Sequence, residues 1–192
     1  MQIVIYPHPT LRHKSKPVKR VDAGLRSIVQ EMLERMYESQ GVGLAANQVD
    51  LPFRFFVANL ESDPQKSEEL VFINPVISRP KGQEENSEGC LSFPTLYCPV
   101  RRPARVHVNA YDLNGREISA DVDGLLARVI QHETDHLDGI LFVDRMSATA
   151  KLDVAEALND FEVDFRSRQG TGGIPSDEAI GARLVEWESK YC

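Results

Sequence analysis

Apolar residues recur three and four apart from Leu25 through Ile28, Val29, Met32 and Leu33 to Met36, the spacing of a helix with one buried face. Asp22 precedes the run as a candidate cap and Gly41 follows it as a candidate terminator. Short apolar blocks come next. Phe53 to Ala58 and Leu70 to Ile73 read as strands joined by the polar connection ESDPQKSEE. Pro75 and Pro80 limit the next extended piece, and KGQEENSE reads as an exposed loop. From Arg105 to Tyr111, Val106, Val108 and Ala110 alternate with polar residues, as in a half-buried strand. Asn114 and Gly115 then supply a turn into a second strand near Glu117 to Ala120.

Gly124 opens a second helical pattern, LLARVIQHETDHL, with Asp123 as its candidate cap and Gly139 beyond its end. A further helix spans about Ala150 to Arg166, QGTGGIPS breaks it, and a short helix runs from Asp177 to Ser189. Strands in the middle with helices towards both ends predict an α+β fold. The length of 192 residues predicts one domain over 1–192, with 147–192 as a helical extension too short for its own core.

Charge narrows the function. The chain carries 22 Lys and Arg against 29 Asp and Glu, a net charge of -7, which argues against a phosphate-tracking surface and so against DNA binding. The local cluster Arg12, Lys14, Lys16, Lys19 and Arg20 reads as a solvated basic surface in preference to a docking patch. Cys90, Cys98 and Cys192 are odd in number and do not form a disulfide framework, which fits a reducing, cytoplasmic setting. No apolar run approaches the roughly 18 residues of a membrane span, and the N-terminal stretch lacks the pattern of a secretion signal.

The strongest chemical signal is HETDH at 132–136. Four residues of helix turn through about 400 degrees and rise about 6 Å, so His132 and His136 share a face and can reach one ion. Glu133 occupies the adjoining surface, where a carboxylate serves water at the metal instead of binding the metal itself. Cys90, in a loop EGCLS, is the leading third ligand, although an unpaired cysteine is as readily a small buried hydrophobe. Three such ligands leave a fourth position open for water or substrate. Cys98 and Cys192, and His8, His13 and His107, lack companion residues and read as nonligands.

GVGLAANQ at 41–48, EGCLS at 88–92 and QHETDH at 131–136 together resemble the peptide deformylase family, in the same order and at family-like separations. YPHPTLR, VFINPVI and DGLLARVIQHE extend the resemblance over most of residues 1–150. It implies an α+β fold with mixed or antiparallel strands around a central metal-binding helix. It also implies hydrolytic removal of the formyl group from the N-terminal methionine of nascent proteins.

The same resemblance implies Cys90, His132 and His136 as metal ligands, Glu133 as general acid and base, and Gln48 with the Leu91 N–H as donors to the formyl oxygen. Gly43 and Gly89 match positions whose backbone engages an extended peptide. Val42, Leu125 and Val129 match walls of the methionine pocket, and Glu88 with Arg102 a loop-bracing pair. Fe2+ is the implied native ion, with Zn2+, Ni2+ or Co2+ as substitutes. N-formyl-methionyl nascent peptides are the implied partners, with transient ribosome association and no membrane contact.

Two positions depart from the best-known bacterial pattern: Tyr97 stands where an arginine often occurs at the pocket rim, and Arg128 replaces a usually apolar residue. Arg128 reads as a solvent-facing helix residue; the alternative places it at the pocket mouth, its stem covering apolar surface. Residues 151–192 hold 9 acids and 5 bases, a poor composition for an RNA-binding tail and a better one for packing on the body. A zinc metallopeptidase built on the same helix, and a noncatalytic ribosome-associated metal-binding protein, are the competing functions.

Overall fold

The computed structural model describes residues 1–66 and 68–192. The first amphipathic run forms α1 (Ala23–Glu38), and the Asp22 side chain caps it by accepting from the Leu25 N–H at 2.9 Å. The helix stops short of Gly41. Gln40 takes the left-handed conformation at φ 55°, and the Gly41 N–H closes onto the Met36 carbonyl.

A five-stranded sheet carries the order β1 (Gly43–Ala45), β2 (Phe55–Ala58), β3 (Leu70–Lys81), β6 (Arg105–Tyr111) and β7 (Glu117–Asp123), with every ladder antiparallel. Strand β2 shows why its sequence is an unbroken apolar run. Phe55 and Val57 enter the core built on α1, while Phe56 and Ala58 enter the core on the opposite side. A strand covered on both faces needs no polar alternation. Each large side chain fully buried there contributes roughly 1.5–3 kcal/mol.

Three expectations for the strands need correction. Strand β3 does not end at its prolines: it runs to Lys81, and register irregularities fall at Ile73/Val76 and Ser78/Lys81. Asn74 (φ 53°) and Arg79 (φ 51°), each just before a proline, adopt left-handed backbone, so the prolines sit at bulges that need no ladder N–H. KGQEENSE is not a loop, because β4 (Glu84–Cys90) begins inside it and pairs with β5 (Phe93–Arg102) as a separate two-stranded sheet. Nor is Cys90 in a loop: it ends β4, next to the two-residue turn Leu91–Ser92. The first residues of β4 are exposed and polar on both faces, which erases the period-two signal.

The HETDH segment lies on α2 (Gly124–Leu137), which packs against the five-stranded sheet through Val129, Ile130 and Leu137. Asp123 occupies the cap position without a capping bond; its carboxylate takes the Arg105 guanidinium at 2.8 Å instead. The next helix divides at Val154 into α3 (Ala148–Asp153) and α4 (Ala155–Gly170). Ser176 caps α5 (Asp177–Tyr191).

Helix α5 lies on the body. Ile180 and Leu184 are buried, and Trp187 and Tyr191 meet the Phe53 ring edge-on at 5.9 and 5.1 Å. Glu188 accepts from Lys16 at 2.5 Å and lies 2.8 Å from His13 Nε2. Arg12 pairs with Asp144 and Arg20 with Asp22. Three of the five residues of the N-terminal basic cluster are therefore matched by carboxylates, Lys16 by an acid of the tail.

Candidate metal centre and catalytic cleft

Residues 131–136 of α2 are all buried although every one is polar or charged. Burial of this kind is costly unless each group finds a partner. Partners for His132 and Asp135 come from the β4–β5 ribbon and from Arg145, whereas Glu133 Oε2, Thr134 Oγ1 and His136 Nδ1 have no hydrogen bond. The thiol of Cys90 lies 3.2 Å from His136 Nε2, and the ligand atoms of Cys90, His132 and His136 all fall within 4.8 Å of one another. Bonds of about 2.0–2.3 Å to one ion require donors gathered this closely. One thiolate and two imidazoles are a donor set suited to a divalent transition metal.

The second ring nitrogen of His132 is fixed by the Glu88 carboxylate, 3.0 Å from Nδ1. Arg102 grips the same carboxylate at 2.7 and 2.9 Å and reaches Asp135 at 2.6 Å; Arg145 holds the other side of Asp135 at 2.6 Å. Glu88 and Arg102 are both almost completely buried, so the pair is a structural strut of the centre and not a surface contact. Burial alone would raise the Glu88 pKa, but the hydrogen bonds from His132 and Arg102 win and hold it at about 2.

Burial disfavours a charged His132, yet Cys90 and Glu88 outweigh it and raise the ring to about 10. His136 moves the other way, pushed down by burial and by the charges of His132 and Arg102. The surroundings of His132 thus favour a cation, and a bound metal would take the place of that proton. Asn47 donates to the backbone carbonyl of His136 and fixes the last turn of the helix.

Glu133 is not one of the three clustered donors but borders the same cavity. Burial pushes its carboxyl up to about 7, against the opposing charges of His132 and Arg102. Its Oε2 is buried with no hydrogen-bond partner. Gly43 explains how the carboxylate fits, because a Cβ there would sit 2.5 Å from Glu133 Oε1. Gln48 is buried on a short 3-10 turn after β1. Its Oε1 accepts from the Ala45 N–H at 2.8 Å, which turns Nε2 towards Ser92 Oγ at 3.3 Å and Cys90 Sγ at 3.4 Å. The amide therefore presents its donor end to the centre.

A cavity of ≈ 680 Å³ opens onto these groups and collects every site residue expected from the sequence except His136 and Arg102. Val129 is buried, Val42 is half-buried, and Leu125 is 53% exposed, which puts Leu125 at the mouth. Tyr97, 70% exposed, lies over Gly89 so closely that a Cβ there would meet its ring at 2.5 Å. Arg128 is not the solvent-facing residue expected: its side chain is only 11% exposed and its guanidinium bonds to the ribbon. Asn47, Ser92, Asp135 and Arg145 were not singled out from sequence. Asp135 had a signal, an acid inside HETDH, but its partners Arg102 and Arg145 are known only once the chain is folded.

The polypeptide deformylase family model matches residues 1–152. A peptide deformylase of Rhodopirellula baltica is 50% identical over 191 residues, covering 100% of this chain and 95% of that one. The crystal structure of Arabidopsis thaliana peptide deformylase 1B with an inhibitor superposes with a TM-score of 0.85 at 38% identity, covering 92% of this chain and 97% of that one. Peptide deformylase from Plasmodium falciparum gives 0.83 at 39% identity, with coverage of 86% and 98%. With geometry, family model and full-length likeness in agreement, this chain belongs to the polypeptide deformylase family, the metal-dependent hydrolases that remove the N-formyl group from nascent proteins.

Proposed function

We propose that Cys90, His132 and His136 hold the catalytic ion, that Glu133 moves the protons, and that Gln48 with the Leu91 N–H steadies the formyl oxygen. The observation that carries this reading is the convergence of the three donors with the inward-facing amide of Gln48 and the unpartnered Oε2 of Glu133. The ion, when bound, supplies Lewis acidity and lowers the pKa of water at its open position.

Glu133 accepts a proton from the attacking water and returns one to the departing amine, so that R–NH–CHO and water become formate and a free N-terminal amine. Negative charge gathers on the formyl oxygen as the carbon becomes tetrahedral. Gln48 Nε2 is held ready for it by the Ala45 bond, and one such prepositioned donor is worth about 10²–10³ in rate. Val42 and Val129 line the methionine side chain, with Leu125 at the entrance, and Gly43 and Gly89 leave the backbone open to an extended peptide.

Fe2+ is the proposed native ion, with Zn2+, Ni2+ and Co2+ able to occupy the same donors. Among the described residues no helix is long and apolar enough to cross a membrane. Cytoplasmic action on nascent chains, with transient ribosome association, is the proposed setting. The acidic tail argues against electrostatic docking through residues 151–192, because Glu188 is engaged by the protein's own Lys16 and His13.

The test is formate release from matched formyl-methionyl and acetyl-methionyl peptides by anaerobically prepared Fe2+ protein of measured metal content. Release from the formyl peptide alone is expected. Cleavage of internal amides would favour a metallopeptidase, and full metallation without turnover would favour a metal-binding protein without catalysis.

A further inference from the structure

The proposed ligands arrive on two pieces of structure. Cys90 ends β4 of the two-stranded sheet, whereas His132 and His136 lie on α2. Among the described residues no β-ladder joins the β4–β5 ribbon to the five-stranded sheet against which α2 packs. The ribbon is held by a backbone bond from the Tyr6 N–H to the Ser92 carbonyl and by its own core around Phe93 and Phe142, and its register against α2 is set by side-chain contacts between ribbon and helix. Glu88 meets His132, Arg102 meets Asp135, and the Gln131 amide donates to the Pro103 carbonyl at 3.0 Å.

Arg128 makes the remaining tie, one turn of helix before His132. Its Nη1 donates to Glu88 Oε1 at 2.5 Å and to the Val100 carbonyl at 3.0 Å, and its Nη2 donates to the Glu84 carbonyl at 3.0 Å. Glu84 opens β4, and Val100 lies on β5 opposite Asn86. One planar guanidinium thus spans both strands of the ribbon from a single helical position, which the point charge of a lysine cannot reproduce.

Arg128 also completes Glu88. Oε1 accepts from Arg102 Nε and Arg128 Nη1, and Oε2 from Arg102 Nη2 and His132 Nδ1. A carboxylate has about four lone-pair sites, so all are used. Without Arg128, Glu88 keeps three of these four partners, and the only bond from α2 to the ribbon carboxylate is the one from His132.

We propose that Arg128 is a positioning residue that locks the Cys90-bearing ribbon onto α2 and thereby sets how long the metal stays bound. The inference rests on the ligand assignment made above. Arg128 also faces the substrate cavity, so a role as simple pocket wall is the competing outcome.

The experiment follows transfer of Co2+ from the loaded full-length protein to a chelator, read by loss of the thiolate-to-metal charge-transfer absorption, for wild type, Arg128→Met and Arg128→Lys. Arg128→Met keeps the apolar stem and is expected to release metal up to about 10-fold faster, at the lower end of the roughly 10–100-fold usual for losing the residue bonded directly to a metal ligand, because Arg128 acts one residue further out through Glu88. Arg128→Lys should recover only part of that loss. At saturating metal, KM for a formyl-methionyl peptide should change less than kcat. Release rates equal to wild type in both variants, or a change confined to KM, would overturn the proposal. If Arg128→Met does not fold, Arg128→Lys decides alone: faster release at an unchanged melting temperature supports the clamp, and unchanged release rejects it. Formate release by the wild type is measured on the same preparations. Its absence with metal tightly held would strike the assigned reaction and leave the clamp standing.

Discussion

Helices α2 and α5 are nearly equal in length, 14 and 15 residues, and meet the rest of the molecule on opposite terms. Helix α5 buries Ile180, Leu184 and Glu188, a stripe four residues apart, and leaves most of its surface in water. Helix α2 buries an unbroken run from Val129 to Leu137, six of whose members are polar or charged. The first arrangement is the inexpensive way to attach a helix. The second desolvates a polar segment: Glu88 answers His132, Arg102 and Arg145 answer Asp135, and Asn47 answers the His136 carbonyl, while Glu133 Oε2, Thr134 Oγ1 and His136 Nδ1 stay buried without a hydrogen bond. The contrast separates residues kept for packing from residues kept for chemistry.

Removing chemistry from α2 tests the contrast most severely. Glu133→Ala, folded and fully metallated, is expected to lose about 10²–10⁴-fold in kcat, the usual worth of a general acid–base. Normal turnover would remove Glu133 from the mechanism. Cys90→Ala should lose metal and formate release together, measured as metal per chain and as product; retention of both would require a different third ligand.

Taking away one answering charge should cost stability next. Arg102→Ala leaves Glu88 and Asp135 buried without their shared partner, and breaking a buried pair typically costs about 3–5 kcal/mol, readable as a shift in the urea midpoint. The corresponding change on α5, Leu184→Ala, is expected to destabilise by about 2–5 kcal/mol through a cavity. Its kcat at a temperature where the variant is folded should stay within about twofold of wild type, as expected for a packing residue remote from the chemistry. A large kcat defect there would mean that α5 takes part in catalysis after all.

The smallest effect concerns pH. Burial would raise the Glu188 pKa, but Lys16 and His13 reverse this and hold it below the usual value of 4.5. A carboxylate depressed in the folded state stabilises above its unfolded pKa and loses that contribution as pH falls through the folded value. The melting temperature should therefore decline below about pH 4.5, and Glu188→Gln should flatten part of that decline. An identical acid limb in the variant would show that the contact between α5 and the N-terminal segment carries no pH-dependent stability.

Legibility from sequence divided along the same line. Helix α1, strand β6 and the stripe of α5 were readable because hydrophobic period reports a buried face directly. HETDH was readable because four residues of helix bring two imidazoles together whatever surrounds them. Cys90 was recognisable as a ligand only in combination with distant motifs, since the strand leading to it is exposed and polar from Glu84 to Ser87, with no apolar period. Arg128 was misread for a related reason. Its partners are two backbone carbonyls and a glutamate 40 positions away, and no local pattern encodes backbone acceptors contributed by another element. The bulged prolines of β3 were misread because Asn74 and Arg79, not glycines, adopt the left-handed backbone there.

Strand β2, whose alternate residues serve opposite cores, constrains how the chain can change length. Inserting one residue within 55–58 would send every residue on one side of the insertion to the opposite face, moving part of the set Phe55, Phe56, Val57 and Ala58 into the wrong core. Both cores would be mispacked by a single event. An added residue at the exposed Asn114–Gly115 turn, where a side chain on Gly115 would meet nothing within 4 Å, leaves both cores in register. Variation in length is therefore expected to concentrate in such turns and to spare a strand only four residues long.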